Sequence, residues 1–396
     1  MSLFSRFSYA YRPDQNVFDA VVNLSRSLES PKSYIIQYDF SKYFDTIDHS
    51  YLTKIILEKR LFLLTAAERS AIRSFMSHRF AHITTYEKGS FDIRDKGVPQ
   101  GSSLSLFLSN IAAHVLDLWL ERLNGSFFRF ADDVVAVAHS YTDATAIASA
   151  FRHHCNAAGL QINYKKSPGI MLLGGGPERE RRTFFLDVGD GDKLDTINFI
   201  DYLGHRFTGE GVCLPRRSMA RIKSRISSII HKHLFLHRRG SSGKFSRSRV
   251  GPGFFDWDLL TCLNEIRKYI YGGLHESQIS EFLDDDKPPP HVRGLMAFFP
   301  LVTDMQQLRV LDGWLVNVIE RAHAERLKVL KSNFGVTLPK LSRKKLIEGT
   351  WYSYPSLPAN AQLPSFVRSW RVARKYYFRY GLSNIKPPGY YSLLEY

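Results

Sequence analysis

Cysteines are scarce in this sequence, and their spacing excludes two common uses of them. Cys155, Cys213 and Cys262 form no CxxC pattern of a zinc site, and an odd number cannot complete a disulfide framework. We therefore expect reduced cysteines in a cytoplasmic protein. Long apolar runs are also missing, because the longest uncharged stretch, residues 97–116, is interrupted by Pro99 and several serines. The first 14 residues lack the apolar core of a signal peptide.

Acidic residues are outnumbered, with 38 Asp plus Glu against 54 Lys plus Arg, which leaves a net charge of +16. The imbalance is local, because residues 211–255 contain no acid at all. The cations of this basic segment are Arg216, Arg217, Arg221, Lys223, Arg225, Lys232, Arg238, Arg239, Lys244, Arg247 and Arg249. An even spread would indicate solubility alone, whereas a cluster predicts a polyanionic partner, either nucleic acid or an acidic membrane surface. Residues 216–233 are predicted to be helical, and residues 238–249 to form a loop that orders on RNA.

Hydrophobic patterning divides the chain into an α+β first half and an α-rich second half, with a boundary near Phe207. In the first half, helices are predicted at 14–28, 48–60, 105–123 and 142–158, and strands or hairpins at 33–40, 82–95, 127–138 and 197–207. In the second half, the predicted helices are 219–236, 256–271, 304–331 and 364–380. A hydrophobic content of 44% in 396 residues is enough for two or three domains.

Three aspartates stand in surroundings that disfavour charge. Asp132 and Asp133 are adjacent at the predicted tip of the hairpin 127–138, and Asp39 lies near the end of the predicted strand 33–40. If both elements belong to one sheet, the carboxylates converge and repel one another unless a divalent cation neutralises them. Oxygen ligands completed by water or phosphate suit Mg²⁺. The alternative is an ordinary solvated turn, and the apolar residues on both faces of the flanking strands argue against it.

A loop rich in glycine precedes the predicted helix 105–123. The stretch KGVPQGSS, residues 96–103, predicts a tight loop whose backbone can approach a ligand closely, with Gln100 held inside it. Its two serines, Ser102 and Ser103, can cap the helix that follows. A routine entry from loop into helix explains the same residues without any ligand.

Six stretches resemble, in the right order, the motifs of a reverse transcriptase palm. They are residues 11–20 (the segment before motif A in group II intron and retron enzymes), 39–49 (DFSKYFDTIDH, motif A), 97–102 (GVPQGS, motif B), 130–133 (FADD, motif C), 159–167 (GLQINYKKS, motif D) and 202–205 (YLGH, motif E). Phe130 replaces the usual tyrosine of motif C, and Ser103 and Leu106 stand where prolines are common. The resemblance covers about residues 8–207, half of the chain.

The resemblance implies an α+β fold, a right-hand polymerase palm with reduced fingers followed by an α-helical thumb and a C-terminal helical extension. The implied domains are fingers and palm at 1–207, a basic thumb at 208–345 and an aromatic and basic extension at 346–396. The helix predicted at 216–233 would suit a thumb that grips a duplex in its minor groove. Residues 370–380 interleave aromatic and basic side chains, which favours a packed amphipathic helix slightly over a base-stacking surface.

The same resemblance assigns roles by position. Asp39, Asp132 and Asp133 would form the catalytic metal site, with Asp39 and Asp132 holding two Mg²⁺ ions, replaceable by Mn²⁺, and Asp133 in a supporting role. The nucleotide-binding residues would be Phe40, Phe44, Gln100 and Lys166. The nucleic-acid-binding residues would be Tyr202, Arg216, Arg217, Arg221, Lys223 and Arg225. Phe44 falls where the family has an aromatic ring that excludes ribonucleotides; alternatively, Phe44 is an aromatic residue of the core. Lys166 would bind the nucleotide; alternatively, it is a solvated lysine without a ligand.

The function implied is that of an RNA-directed DNA polymerase. Its expected partners are deoxynucleoside triphosphates and a template and primer, foremost a structured non-coding RNA, and no membrane partner is expected. Residues 304–314 faintly resemble helical regions of bacterial reverse transcriptases linked to antiviral defence, which implies such a role. The alternatives are a palm-fold scaffold that binds nucleic acid without synthesis, a nucleotide cyclase, and template-independent or protein-primed DNA synthesis.

Few basic residues precede Asp39, although the charge of an incoming triphosphate must be offset. They are Arg6, Arg12, Arg26 and Lys32. We therefore expect a structured RNA, a second copy of the chain or a second reverse transcriptase protein to complete the reduced fingers. In the alternative, Arg6 and Arg12 suffice together with Arg79 or Arg94.

Overall fold

The computed structural model describes residues 4–28, 33–58, 61–81, 91–93, 95–174, 182–185, 193–236, 250–251, 255–352, 361–381 and 385. The described α-helices are α1 (Val17–Ser27), α2 (Tyr43–Thr46), α3 (His49–Thr53), α4 (Ala66–Met76), α5 (Ser103–Leu120), α6 (Tyr141–Ala158), α7 (Arg216–Ile230), α8 (Trp257–Tyr271), α9 (Glu276–Asp284), α10 (Met305–Phe334), α11 (Arg343–Glu348) and α12 (Phe366–Tyr380). The described strands are β1 (Ser33–Asp39), β2 (Arg79–Ala81), β3 (Phe91–Ile93), β4 (Ser126–Phe130), β5 (Asp133–Ala138), β6 (Gly169–Leu173), β7 (Arg182–Phe185), β8 (Lys193–Ile197), β9 (Phe199–Tyr202), β10 (His205–Thr208), β11 (Gly211–Cys213), β12 (Val250–Gly251) and β13 (Phe255–Asp256).

The chain divides into two compact units. The first contains Met1–Tyr202 and Phe207–Glu210, and the second contains Leu203–Arg206 and Gly211–Tyr396. The first unit mixes helices with strands and the second is mainly helical, so the predicted α+β fold class is confirmed. The second unit contains the predicted thumb from residue 211 onward and the predicted C-terminal extension.

The first unit is built on a six-stranded sheet in the order β4-β5-β1-β6-β8-β7. Strand β1, SYIIQYD, lies inside this sheet and is antiparallel to both β5 and β6. Its Ile35 and Ile36 are both completely buried, as expected for a strand that is covered on both faces. Helices α5 and α6 supply many of the apolar side chains of this core. The order of strands places the end of β1 beside the start of β5.

Capping residues that the sequence indicates mark the starts and ends of several helices. Asp48 caps α3, and its side chain accepts the backbone N–H groups of Ser50 and Tyr51 at 2.7 and 3.0 Å. Ser102 caps α5 through the backbone N–H of the second helical residue. Gly159 ends α6 in the left-handed conformation, with φ of 67°. These ends are set by neighbouring residues, which is why sequence patterns find them.

Other elements differ from the prediction. The predicted hairpin 82–95 begins earlier, because β2 and β3 pair with Arg79 opposite Ile93, and residues 82–90 lie outside the described residues. Strand β6 was not predicted, since five residues after a proline carry little periodic signal. It forms because the edge of β1 that does not face β5 is open, and β6 pairs there with residues Ser33 to Gln37 of β1.

Helix α5 is the most apolar of the long helices. By length and composition alone it could cross a membrane, but 61% of it is buried within the protein. Leu108, Ile111 and Leu116 are completely covered. This burial is typical of the central helix of a folded core.

In the second unit, a buried ion cluster joins α8 to α10. Arg326 donates to Asp256 Oδ2 at 2.6 Å, to Asp258 Oδ2 at 2.7 Å and to the carbonyl of Leu234 at 2.7 Å. Helix α12 packs through buried Trp370 and Tyr376, which supports the packed amphipathic helix predicted there. The predicted RNA-binding loop, residues 238–249, lies outside the described residues.

Candidate active site

The three predicted aspartates lie at one end of the first sheet. Asp39 is the last residue of β1, Asp133 is the first residue of β5, and the two are paired across the antiparallel ladder. Directly opposed residues of such a pair have their side chains on the same face of the sheet. Asp132 lies in the turn between β4 and β5. The prediction that both elements belong to one sheet is therefore confirmed.

The turn that carries Asp132 is strained. Phe130 is paired with Asp133, so Ala131 and Asp132 form a two-residue hairpin loop. Ala131 has φ of 59°, a conformation that glycine usually supplies in such turns. Holding an alanine there costs about 1–2 kcal/mol. Strain of this kind persists only where the surrounding structure imposes it.

Two of the three aspartates, Asp132 and Asp133, have a raised pKa. Burial, followed by the charges of Asp132 and Asp39, raises the pKa of Asp133 to about 7. Burial is also the main reason why the pKa of Asp132 is raised above its ordinary value, and the charge of Asp39 adds to the effect. A solvated turn would leave such carboxylates near their ordinary pKa. Asp132 and Asp133 are half-buried and lie beside Asp39, so the cluster is one that a cation would stabilise, which favours a metal site over a solvated turn.

A buried arginine that sequence patterns did not indicate supports the turn. The side chain of Arg129 is fully buried, and its Nε and Nη2 donate to the two carboxylate oxygens of Asp117 at 2.8 and 2.6 Å. Its Nη1 donates to the carbonyl of Ala131 at 3.1 Å and to Asn110 Oδ1 at 3.0 Å. Its Nη2 also donates to Ser8 Oγ at 2.7 Å. The signal available in the sequence was an arginine inside the apolar strand FFRF.

The arginine remains charged in this position. Burial alone lowers the pKa of Arg129, but the Asp117 carboxylate outweighs it and raises that pKa above its ordinary value. Both side chains are without exposed surface, so each charge depends on the other. The pair therefore fixes β4 to α5 directly behind the turn that carries Asp132.

The first glycine of the predicted loop packs against α2. The N–H of Gly97 donates to the carbonyl of Ile47 at 2.7 Å, and that of Val98 donates to the carbonyl of Phe44 at 2.7 Å. A Cβ on Gly97 would lie 2.6 Å from the backbone of Asp45, and its φ is 73°. The close approach that the sequence predicted toward a ligand is, at this glycine, an approach to the protein itself.

Asp39 is held by the turn that follows α6. Asn163 Nδ2 donates to Asp39 Oδ2 at 3.0 Å, and Lys166 Nζ lies 3.6 Å from the same oxygen. The backbone N–H of Asp39 donates to Ser167 Oγ at 2.9 Å. The structure thus places the predicted Lys166 beside the aspartates. It also adds Asn163 and Ser167, to which the sequence assigned no role.

The predicted nucleotide-binding aromatics differ in exposure. Phe40 is 2% exposed and stacks on Tyr43 with the ring centroids 5.2 Å apart, so only its backbone is left to meet a nucleotide. Any nucleotide contact of Phe40 would therefore be made by its backbone, and its nucleotide-binding role stays a prediction. Phe44 is half-buried and meets Tyr43 edge to face at 5.8 Å, which is compatible with both of its predicted roles. Gln100 is exposed on its loop.

The predicted nucleic-acid contacts also separate by exposure. Tyr202 is 1% exposed and donates to the carbonyl of Phe128 at 2.9 Å, so its side chain supports β4 and is not available to nucleic acid. The five predicted cations lie on α7, whose buried side consists of isoleucines. Those with exposed side chains are Arg216, Arg217 and Arg225, and those with half-buried ones are Arg221 and Lys223. Their contacts to nucleic acid stay predictions.

The donor set fits a divalent cation only in part. Among the described residues, no three His, Cys, Asp or Glu side chains are placed to hold a metal ion unaided. Asp39 and Asp132 offer carboxylate oxygens of the kind that Mg²⁺ prefers. Burial, followed by the two neighbouring carboxylates, raises the pKa of Asp133, while Lys166 offsets part of their charge. Water and substrate phosphates would have to complete the coordination shell, as is usual for Mg²⁺.

Comparison with protein families finds a match over the first half of the chain. The family model described as "Reverse transcriptase (RNA-dependent DNA polymerase)" matches residues 1–207. "Protein YkfC" of Escherichia coli (strain K12) is 30% identical over 121 residues, which are 30% of this chain and 30% of that protein. The chain thus spans less than a third of the length of this curated relative.

Solved structures resemble the chain at low similarity. Telomerase from Candida albicans, in complex with a TWJ fragment of telomeric RNA, has a TM-score of 0.37 and 14% identity, covering 83% of this chain and 54% of that one. Apo telomerase from Candida tropicalis, truncated from the C-terminal domain, has a TM-score of 0.39 and 15% sequence identity, and the match covers 53% of this chain and 41% of that one. The foamy viral protease-reverse transcriptase in complex with an RNA/DNA hybrid has a TM-score of 0.28 and 16% sequence identity, and the match covers 52% of this chain and 22% of that one. At these scores the family match and the sheet geometry carry the assignment.

Proposed function

Because this chain belongs to the reverse transcriptase family, we propose that it is an RNA-directed DNA polymerase that adds deoxynucleotides to a primer. The observation that carries this proposal is the pairing of Asp39 with Asp133 across two neighbouring strands, with Asp132 in the adjoining turn. All three lie within the residues that match the family.

In this mechanism, Asp39 and Asp132 would hold two Mg²⁺ ions, for which Mn²⁺ could substitute, and Asp133 would support them. When bound, such ions activate a 3′-hydroxyl and neutralise the triphosphate and the departing pyrophosphate. Lys166 is 71% exposed beside Asp39, so it can leave the carboxylate for a phosphate at little cost. Gln100, exposed on its loop, would contact the nucleotide or the templating base.

Primer extension tests the proposal. The full chain is supplied with an RNA template, an annealed DNA primer, Mg²⁺ and the four deoxynucleoside triphosphates. The expected product is DNA whose sequence follows the template. Extension that ignores the template would indicate template-independent synthesis, and a cyclic nucleotide product would indicate a cyclase. Tight RNA binding without any incorporation would support the scaffold alternative.

Phe44→Ala is expected to weaken discrimination against ribonucleotides. Removing a ring that blocks the 2′-hydroxyl should change the ratio of kcat/KM values for deoxy- and ribonucleotides on the order of 10-fold or more. Steady-state incorporation of both sugars opposite one template base measures this ratio. Phe75→Ala is the matched control, because Phe75 is another half-buried aromatic of the same core. Unchanged sugar discrimination in Phe44→Ala would leave Phe44 a packing residue alone.

Neutralising the cations of α7 is expected to weaken nucleic-acid binding and its dependence on salt. The variant carries glutamine at Arg216, Arg217, Arg221 and Lys223. Each lost phosphate contact should lower the slope of log affinity against log salt concentration by roughly 0.7 to 0.9. Fluorescence anisotropy with a labelled RNA/DNA duplex, repeated over a series of salt concentrations, measures both affinity and slope.

The control removes the same charge from another part of the second unit. It carries glutamine at Lys340, Arg343, Lys344 and Lys345, all of which are exposed. An equal loss of slope in both variants would mean that net charge, and not helix α7, governs binding.

The template, the protein partner and the biological role of the polymerase can also be proposed. We propose that the template is a structured non-coding RNA and that a second copy of the chain or a second reverse transcriptase protein completes the fingers. We further propose that the complex acts in the cytoplasm, in antiviral defence. The net charge of +16 and the resemblance of residues 304–314 support these parts, as do three cysteines that are free of disulfides. Sequencing the RNA that co-purifies, and sizing the complex before and after nuclease treatment, tests them.

A further inference from the structure

The turn that follows α6 holds the end of β1 by its backbone. The N–H of Asn163 donates to the carbonyl of Asp39 at 2.8 Å, and the N–H of Ser41 donates to the carbonyl of Gln161 at 2.7 Å. The N–H of Asp39 donates in turn to Ser167 Oγ at 2.9 Å. Both backbone groups of Asp39 are therefore engaged by residues more than a hundred positions later in the chain.

Asn163 is itself fixed within this turn. Its carbonyl accepts the N–H groups of Lys166 and Ser167 at 3.0 and 2.9 Å, while its own N–H is bound to Asp39. A residue whose backbone is held on both sides can place its side chain with little further loss of entropy. The Nδ2 atom of Asn163 then donates to Asp39 Oδ2 at 3.0 Å.

One oxygen of Asp39 receives both side-chain contacts, and the two contacts differ in strength. Lys166 is 71% exposed and lies 3.6 Å from Oδ2, so its ion pair is weak and exchanges with other charges. Asn163 is half-buried, neutral and at hydrogen-bond distance. An arriving cation competes with the lysine by charge but not with the amide.

We propose that Asn163 is a positioning residue that orients the Asp39 carboxylate for a divalent cation, with Oδ2 engaged by the protein and Oδ1 left for the cation. The inference rests on the proposed function, since it assumes that Asp39 binds a metal ion. Hydrogen-bond partners of metal-binding carboxylates contribute through orientation, and their removal typically lowers metal affinity 10- to 100-fold.

Asn163→Ala in the full chain tests this role with Mn²⁺ as the probe, without nucleotide or nucleic acid. Free Mn²⁺ is counted by electron paramagnetic resonance, and the dissociation constant is expected to rise about 10-fold or more. Nucleotide incorporation should then need more Mg²⁺ for half its maximal rate, while the rate at saturating Mg²⁺ recovers toward that of the wild type. A purely structural role would lower the maximal rate without moving the Mg²⁺ requirement.

Gln161→Ala is the matched control, because the exposed side chain of Gln161 lies in the same turn and its backbone bond to Ser41 is kept. This control should bind Mn²⁺ as the wild type does. The rise in melting temperature on adding Mn²⁺, taken against each variant's own metal-free value, should be smaller for Asn163→Ala alone.

Unchanged Mn²⁺ affinity in Asn163→Ala, or failure of that variant to fold, overturns the inference. If the affinity is unchanged and the wild type copies RNA, the proposed function stands and the role of Asn163 falls. If the wild type binds Mn²⁺ through Asp39 but incorporates no nucleotide, the proposed function falls and the role of Asn163 is still decided by its Mn²⁺ affinity. A wild-type chain that binds no Mn²⁺ in the absence of nucleotide overturns the role of Asn163, while primer extension still decides the proposed function.

Discussion

Asp132→Asn is expected to abolish nucleotide incorporation and to leave the chain folded. Loss of a carboxylate that we propose to hold the catalytic cations should remove several kcal/mol of transition-state stabilisation, which is on the order of 10³-fold in rate. Single-turnover incorporation into a primer annealed to RNA measures the loss. The wild-type rate in this variant would refute the assigned metal site.

The fold should tolerate the change because the charge of Asp132 opposes folding. Burial, with a further contribution from Asp39, raises the pKa of Asp132, so above its unfolded pKa the ionised side chain destabilises the folded state. Asparagine has nearly the same shape and no charge, and the metal-free melting temperature should therefore be equal or higher. Asp195→Asn is the control, because Asp195 is an exposed carboxylate of the same sheet, in β8, and should keep the wild-type rate.

Arg129→Met is expected to lower the free energy of unfolding by about 3–5 kcal/mol, because it leaves the buried Asp117 without a partner. The N–H donors that satisfy Ser8, Asn110 and the carbonyl of Ala131 are lost at the same time. Urea denaturation of the full chain, followed through the transition of the first unit, measures the change. A loss below about 1 kcal/mol would mean that the buried pair is not a principal support of this unit.

A second substitution separates charge from shape. Arg129→Met with Asp117→Leu removes both charges and should recover much of the lost stability. Because nothing then holds the carbonyl of Ala131, this double variant should regain stability without regaining the full rate of incorporation. Lys328→Met is the exposed control: Lys328 pairs with Glu325 at the surface, and its loss should cost less than about 1 kcal/mol.

Much of the first unit was predictable from neighbouring residues. The apolar runs at 33–40 and 127–138 indicated strands, and Asp48 and Gly159 indicated helix ends, since periodicity and caps depend on residues within a turn or two. The resemblance of six motifs supplied the order in which these elements belong. The burial of individual side chains was harder to predict, because an aromatic residue such as Phe40 fits the same sequence pattern whether its ring faces the core or a ligand.

By itself, the sequence determined most of the long helices, the strands that carry the three aspartates, and the basic segment at 211–255. Only the tertiary structure decided that Asp39 lies opposite Asp133, that Arg129 pairs with Asp117 beneath Ala131, and that Asn163 reaches Asp39 from 124 residues away. Strand register is selected by packing of whole elements, since a shift of one residue would exchange the two faces of a strand. Buried polar groups such as Arg129 then find whichever partners that packing brings within hydrogen-bond distance, and no local pattern specifies them.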